Sequence, residues 1–442
     1  MPSCAIKIKC YSSRLVVDVS DCATVPFDMS GWVDAVFQLT TVVAVEEDYR
    51  ISHTSESETT SGLKPERVWQ MYGPYGLRAA ELWNVTNGSS HTTVAVLDTG
   101  IGRGAVGWFA NIADGYDFVS STGTASEDGD GRDPDWHDPV NATYLPEECQ
   151  KSLWHGSSVA FFIAGRDTES RGVATNVTIL PVRVAGTCFG QSSDMADGIE
   201  WASGGEIDGV RNNTNPASII SITQNGNDLC PSYLQSAVTN AIRRGSVIMV
   251  SAGNHGGSSR NQYPSNCVGV ITVQASTKNG VLAEYSGTQG TIAAPGGDAI
   301  NLLYTPIPDT DTQKGLFGTS FACPLAAGFL ALGWSRYGPE FNILDAVIPF
   351  SDGCPVDQCG AGIISFNNGT PWMPLPLTAD VASNLMTIII VIVLSLLATC
   401  ISVYCLYAIL HHASYATKNN ASYATKNDAS YERVPLKFYE VL

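Results

Sequence analysis

The sequence predicts an α/β fold, a doubly wound and mostly parallel sheet with helices on both faces, plus one transmembrane helix. Three observations lead there. Five short apolar runs have the composition of strands buried on both faces, helical patterns alternate with them, and residues 385–410 carry no charge.

The runs are "TTVAVLD" (92–98), "VTILPVRV" (177–184), "ASIISIT" (217–223), "VIMVSA" (247–252) and "VGVITVQA" (268–275). "SDMADGIEWA" follows the second and "SYLQSAVTNAIRRG" the third, each with helical periodicity, and "GTSFACPLAAGFLAL" supplies another helix near residue 320. Sheets of this kind gather their active groups at the carboxyl ends of strands, so the residues just after each run are the ones to inspect. Residues 373–384, "MPLPLTADVASN", read as a Pro-rich stalk, and 385–410 as a helix long enough to span a bilayer. The tail, 411–442, repeats "ASYATKNN" and "ASYATKND", a polar low-complexity pattern.

Charge excludes one class of function. Of 442 residues 15% are charged and the net charge is −18, without the basic stripe that nucleic acid requires. Between Arg336 and the span there is no Lys or Arg, whereas His411, His412, Lys418 and Lys426 follow it. The positive-inside rule therefore puts the tail in the cytosol and the large N-terminal part in the lumen or outside, as a single-pass type I protein. Glycosylation sequons at Asn84, Asn87, Asn141, Asn176, Asn212 and Asn368, and twelve cysteines, fit that compartment. The start, "MPSCAIKIKCYSSRLVVDV", lacks a signal-peptide core and reads as cut short.

Four polar residues stand where chemistry is expected. Asp98 ends the first run, placed to fix the tautomer of an imidazole, although an ordinary turn Asp looks the same. His155 opens the apolar pattern "HGSSVAFFIAG", where it can serve as general base and acid or as a plain structural histidine. Asn254 closes "VSAGN", a donor for a developing oxyanion or a turn residue before the following turn. Ser320, in "GTSFACPLAAG", is either a nucleophile or a helix cap.

Together, in that order and with those flanks, they make the sequence similar to the subtilisin-like serine proteases, the subtilases. "VAVLDTGI", "HGSSVAFFIAG", "SAGN" and "GTSFACPLAAG" resemble the family's aspartate, histidine, oxyanion and serine motifs, and the likeness runs over residues 69–366. It is nearest to the secreted bacterial branch, through stretches such as "ILPVRVAGTCFG" and "YPSNCVGVITVQA". The resemblance implies a subtilisin-like peptidase domain over 66–372 in which Asp98 orients, His155 moves protons, Ser320 attacks, and Asn254 with the Ser320 N–H holds the oxyanion. It also implies protein or peptide substrates and no redox cofactor. Ser157, Ser158, Phe161 and Leu325 depart from the motifs. "TQNG", Thr223, Gln224, Asn225 and Gly226, stands where the family's substrate-binding strand reads Ser-Leu-Gly-Gly, which argues against a large apolar preference. Asn225 is expected to mimic the missing glycine through a positive φ.

The same resemblance makes residues 1–60 a partial inhibitory propeptide, through "GWVDAVFQLTTVVAVEEDYRI", with cleavage near residues 50–66. It makes "EDGDGRDPD" a calcium loop with Asp128, Asp130 and Asp133 as ligands, beside Asp135. It implies disulfides Cys149–Cys188, Cys230–Cys267 and Cys354–Cys359, with Cys323 as a small buried residue. In the tail "YERV" and "YEVL" resemble Tyr-x-x-apolar signals for adaptor proteins. The leading expectation is a membrane-anchored serine endopeptidase acting on secretory-pathway or extracellular proteins. Its rival is a catalytically silent subtilase fold serving as a surface binding or adhesion module, and a third reading inverts the topology and leaves the domain in the cytosol.

Overall fold

A computed structural model describes residues 68–121, 131–139, 153–167 and 170–366, with the short stretches 7–10, 15–18, 48, 50–52 and 56–60. All lie within the first of two units, Met1–Met373. The stalk, the apolar run 385–410, the tail, Asp128, Asp130 and Cys149 lie outside the described residues. Among those described, no helix is long and apolar enough to cross a membrane.

Six parallel strands form the centre of a ten-stranded sheet: β1 (Thr93–Asp98), β2 (Thr178–Arg183), β3 (Ile219–Ile222), β4 (Val247–Ser251), β5 (Ile271–Ser276) and β6 (Ile292–Pro295). Their spatial order is β6-β5-β4-β3-β1-β2, every neighbouring pair parallel. Short strands Asn111–Ile112 and Tyr116–Asp117 extend the β2 edge; Ile363–Ile364, then antiparallel Val347–Ile348, extend the β6 edge. The five expected runs become β1 to β5. β6 adds a strand, because "IAAP" is short, rich in Ala and ends in Pro, and so lacks the β-branched signature.

Alternation along each strand sends side chains to two cores. In β1, Val94 and Val96 join one cluster, and Ala95 and Leu97 the other. The first face is covered by α1 (His155–Ala164) and α4 (Thr319–Tyr337), the second by α2 (Ser192–Ala202) and α3 (Ser232–Arg243). Helix α4 is apolar on all sides, as a helix must be that runs through the core rather than over it. Phe321, Leu325 and Phe329 on it are wholly buried, each contributing about 1.5–3 kcal/mol relative to exposure.

Two disulfides lie among the described residues, Cys230–Cys267 with Cα atoms 5.2 Å apart and Cys354–Cys359 at 6.0 Å. Cys188 is also disulfide-bonded. Cys323 is a free thiol, wholly buried, with Sγ 3.8 Å from the Ile222 carbonyl oxygen; burial pushes it up to about 12.

Three N-terminal segments dock on this body. Arg50–Ile51 pairs antiparallel with Gly190–Gln191, and Ser52 exchanges backbone hydrogen bonds of 2.9 and 3.0 Å with Asn225. Asp48 accepts from the Ser193 N–H (2.8 Å) and the Ser192 hydroxyl (3.1 Å), and so satisfies the start of α2. Glu56–Thr60 pairs antiparallel with Gln313–Phe317, the strand that leads directly into α4.

Candidate active site

The strand order reverses at β1, so a crevice opens between the carboxyl ends of β1 and β3. Asp98 closes β1 there, fully buried. Its carboxylate accepts from three donors: His155 Nδ1 at 2.8 and 3.0 Å, the Thr99 N–H at 2.8 Å, and the Thr223 hydroxyl just beyond β3. A carboxylate surrounded in this way makes Nδ1 the protonated nitrogen of a neutral ring, which leaves Nε2 as the acceptor.

His155 heads α1, and the sequence around it makes that position possible. A Cβ on Gly156 would fall 2.2 Å from the Gly100 carbonyl oxygen, so only glycine lets the helix start lie against the end of β1. The Gly156 N–H donates to the Thr99 hydroxyl (3.1 Å), which donates in turn to Asp138 (2.9 Å). The departures from the histidine motif are absorbed. The Ser157 hydroxyl accepts from the Gly102 N–H at 2.9 Å, and the Phe161 ring, wholly buried, meets Trp108 edge-on at 5.6 Å. Space for that ring comes from Gly165, where a Cβ would lie 2.1 Å from it. Leu325 sits in the core of the same face.

Ser320 is not a helix cap. The N-cap of α4 is Gly318, with φ +150°, a conformation that side chains resist, and no side chain caps the helix. Ser320 is the second helical residue, 2% exposed, so its N–H belongs to the first turn and has no intrahelical acceptor. Pro324, four residues on, has no N–H to give the Ser320 carbonyl. Phe321, the next residue, packs its ring 5.6 Å from the His155 ring. Asn254 accepts through Oδ1 from both the Thr319 N–H (2.9 Å) and hydroxyl (2.8 Å). That turns Nδ2 toward Gly318, where a Cβ would stand 3.3 Å from it. Ser320, Asn254, Thr223, Asn225 and Gly226 line one pocket.

Two expectations change. Asn225 has no positive φ. Its side chain is used instead as a brace, donating to the Ser251 carbonyl and Ser265 hydroxyl at 3.0 Å each and accepting from the Ser251 hydroxyl at 2.8 Å. Gln224 is wholly buried. Of the calcium ligands, only Asp133 is described. Its Oδ1 accepts from the Asp135 N–H at 2.6 Å in a local turn, and no cluster of three metal-ligating side chains occurs among the described residues.

The sequence does not mark Lys314, because a lone lysine beside a turn reads as a solvated charge. It is 7% exposed, and its Nζ donates to the Leu153 carbonyl at 2.6 Å, two residues before His155. Burial pushes it down to about 8, against the pull of Asp138 and Asp98. Between about 8 and its ordinary 10.5 the unfolded chain therefore holds more of this proton, so stability rises with pH across that window. In a Ser320→Ala background, which prevents self-digestion, urea melts with Lys314 and with Lys314→Met should differ by a free energy that shifts by about 3 kcal/mol over the window. A difference that stays flat with pH would refute the buried charge.

A family model described as the subtilase family matches residues 89–342. The chain is 39% identical over 309 residues to an extracellular protease of Xanthomonas campestris, covering 66% of this chain and 53% of that one. It is 35% identical over 282 residues to an extracellular basic protease of Dichelobacter nodosus, covering 60% and 46%. A solved protease structure from Pseudoalteromonas arctica superposes with a TM-score of 0.60 at 34% identity, covering 69% of this chain and 97% of that one. The chain thus spans about half the length of the two curated relatives.

Proposed function

The chain belongs to the subtilase family, and from that premise we propose that it is a serine endopeptidase in which Asp98, His155 and Ser320 form the catalytic triad. The observation that carries the reading is the buried Asp98–His155 contact at the strand-order switch, beside a serine in the first turn of α4. Ser320 Oγ adds to the substrate carbonyl carbon as its proton passes to His155 Nε2. The carbonyl electron pair moves to oxygen, where Asn254 Nδ2 and the Ser320 N–H donate to it. On collapse the C–N bond breaks, the amine leaves with the proton from His155, and an acyl-enzyme remains. Water then repeats the sequence and frees Ser320.

Substrates are proteins or peptides of the extracellular space or secretory pathway, a reading supported by relatives printed as extracellular proteases. Residues 385–410 anchor the chain as a single-pass type I protein, with the tail's Tyr motifs offered to adaptor proteins. Asn84, Asn87, Asn176 and Asn212 are exposed, as glycan acceptors must be. The enzyme is made as a zymogen. Residues 50–52 and 56–60 pair with the body on either side of Ser320, which supports maturation by a cut between Ser52 and Glu56.

Asp128, Asp130 and Asp133, oxygen donors of the hardness calcium prefers, would hold that ion, which would supply local stability rather than chemistry. Removing it with a chelator should lower the melting temperature, and added calcium should restore it. A midpoint indifferent to both eliminates the site. A serine-directed fluorophosphonate probe tests the main reading: the full-length chain should label, and should fail to label once Ser320 is replaced by Ala. A folded wild-type chain that takes no label would favour the binding-module alternative.

A further inference from the structure

We infer that Gln262 makes the pocket beside Ser320 select a neutral, hydrogen-bonding side chain on the residue whose carbonyl is cut, an inference that rests on the protease reading above. Ser320, Asn254, Gly253, Gln262, Gly226 and Asn225 are among the residues that line the pocket, together with Arg50 and Ser52 of the docked N-terminal segment. "TQNG" suggests that Gln224 and Asn225 set preference, yet Gln224 is wholly buried and the Asn225 amide is spent on Ser251 and Ser265. Among the side chains that line the pocket, Gln262 is the one with a buried polar atom left without a hydrogen-bond partner.

Its position is fixed from several sides. Tyr263, the next residue, exchanges two backbone hydrogen bonds of 2.9 Å with Gly226, and the Gln262 carbonyl accepts from the Asn266 N–H at 2.9 Å. Gly253, at φ +86°, leaves the space the amide fills, since a Cβ there would lie 2.0 Å from Gln262 Oε1. The amide therefore rests one residue from Asn254, at the base of the oxyanion donor. Gln262 Oε1 is buried and meets no hydrogen-bond partner among the described residues.

A buried acceptor left unmatched carries a desolvation cost that a donor in the substrate removes. A large apolar side chain filling this pocket would leave it unmatched. A Lys or Arg side chain would bury a cation with no carboxylate among the lining residues to meet it. A neutral amide or hydroxyl satisfies the group, and because the Gln262 amide offers both donor and acceptor, the match holds in either orientation. The chain's own maturation stretch agrees. Whichever bond between Ser52 and Glu56 is cut, the residue on its acyl side is Ser52, His53, Thr54 or Ser55, all polar.

The test uses fluorogenic peptides identical except at the residue before the cut, offered to the full-length chain and to Gln262→Leu, with probe labelling of both preparations. We expect kcat/KM for Gln and Thr peptides to exceed that for Leu and Phe by on the order of 10- to 100-fold in the wild type. In Gln262→Leu the order should reverse. A wild type that labels but prefers Leu or Phe overturns the inference and leaves the protease reading standing, as does a labelling Gln262→Leu with an unchanged ratio. A wild type that does not label overturns both. The wild-type comparison decides even if the variant fails to fold.

Discussion

Ser320→Ala should abolish peptidase activity, with turnover falling on the order of 10⁶-fold, a magnitude taken from how such triads behave elsewhere in the family. Without Oγ there is no atom at the first turn of α4 to form the acyl-enzyme, and the oxyanion donors and the base then act on nothing. The fold should survive, because Gly318 rather than Ser320 occupies the N-cap and the lost hydroxyl satisfies no helix terminus. Maturation supplies a second readout: the variant should keep its N-terminal segment and migrate as the uncut chain. A variant that retains more than about a hundredth of wild-type turnover, or matures normally, would dismiss Ser320 as nucleophile.

Asp98→Asn should cost about 10⁴-fold in kcat while changing KM little. Asp98 accepts from His155 Nδ1, the Thr99 N–H and the Thr223 hydroxyl, and an amide cannot accept from all three. One end of the new side chain is a donor. Turned toward His155, it forces the proton from Nδ1 to Nε2, the nitrogen that must take the proton from Ser320. The loss should therefore fall on the chemical step rather than on binding, with probe labelling slowed in proportion. A variant within tenfold of wild type would mean that the carboxylate does not set the tautomer.

The sequence was informative where chemistry coincides with an element's end. β1 to β5 are continuous apolar runs, and Asp98 at the end of β1 and Asn254, just beyond β4, are the Asp and Asn that an inspection of strand ends selects. It was silent where a role arises from contact across long separations. The Thr223 hydroxyl reaches Asp98 across 125 positions, and no local pattern marks such a pair. Lys314 and Gln262 read as ordinary polar residues, since only packing reveals which lysine is buried or which amide lines a pocket. From the sequence Asn225 reads as a backbone substitute for glycine, whereas its side-chain hydrogen bonds to Ser251 and Ser265 explain the residue. The expected membrane span and the expected calcium ligands Asp128 and Asp130 lie outside the described residues.

The two docked N-terminal strands have a consequence for time course. If the chain matures by the cut proposed between Ser52 and Glu56, the stretch held at Gly190 and Asn225 and along Gln313–Phe317 is the enzyme's own first substrate. Tethering of this kind corresponds to effective concentrations of millimolar or more. The first cut is then unimolecular, with a half-time that dilution does not alter, whereas every later cut slows as the protein is diluted. In the uncut chain Ile51 is buried and Asp48 sits on the start of α2, so a severed fragment would depart at its own dissociation rate. Activity toward other proteins should accordingly emerge after a lag governed by that departure rather than by bond cleavage.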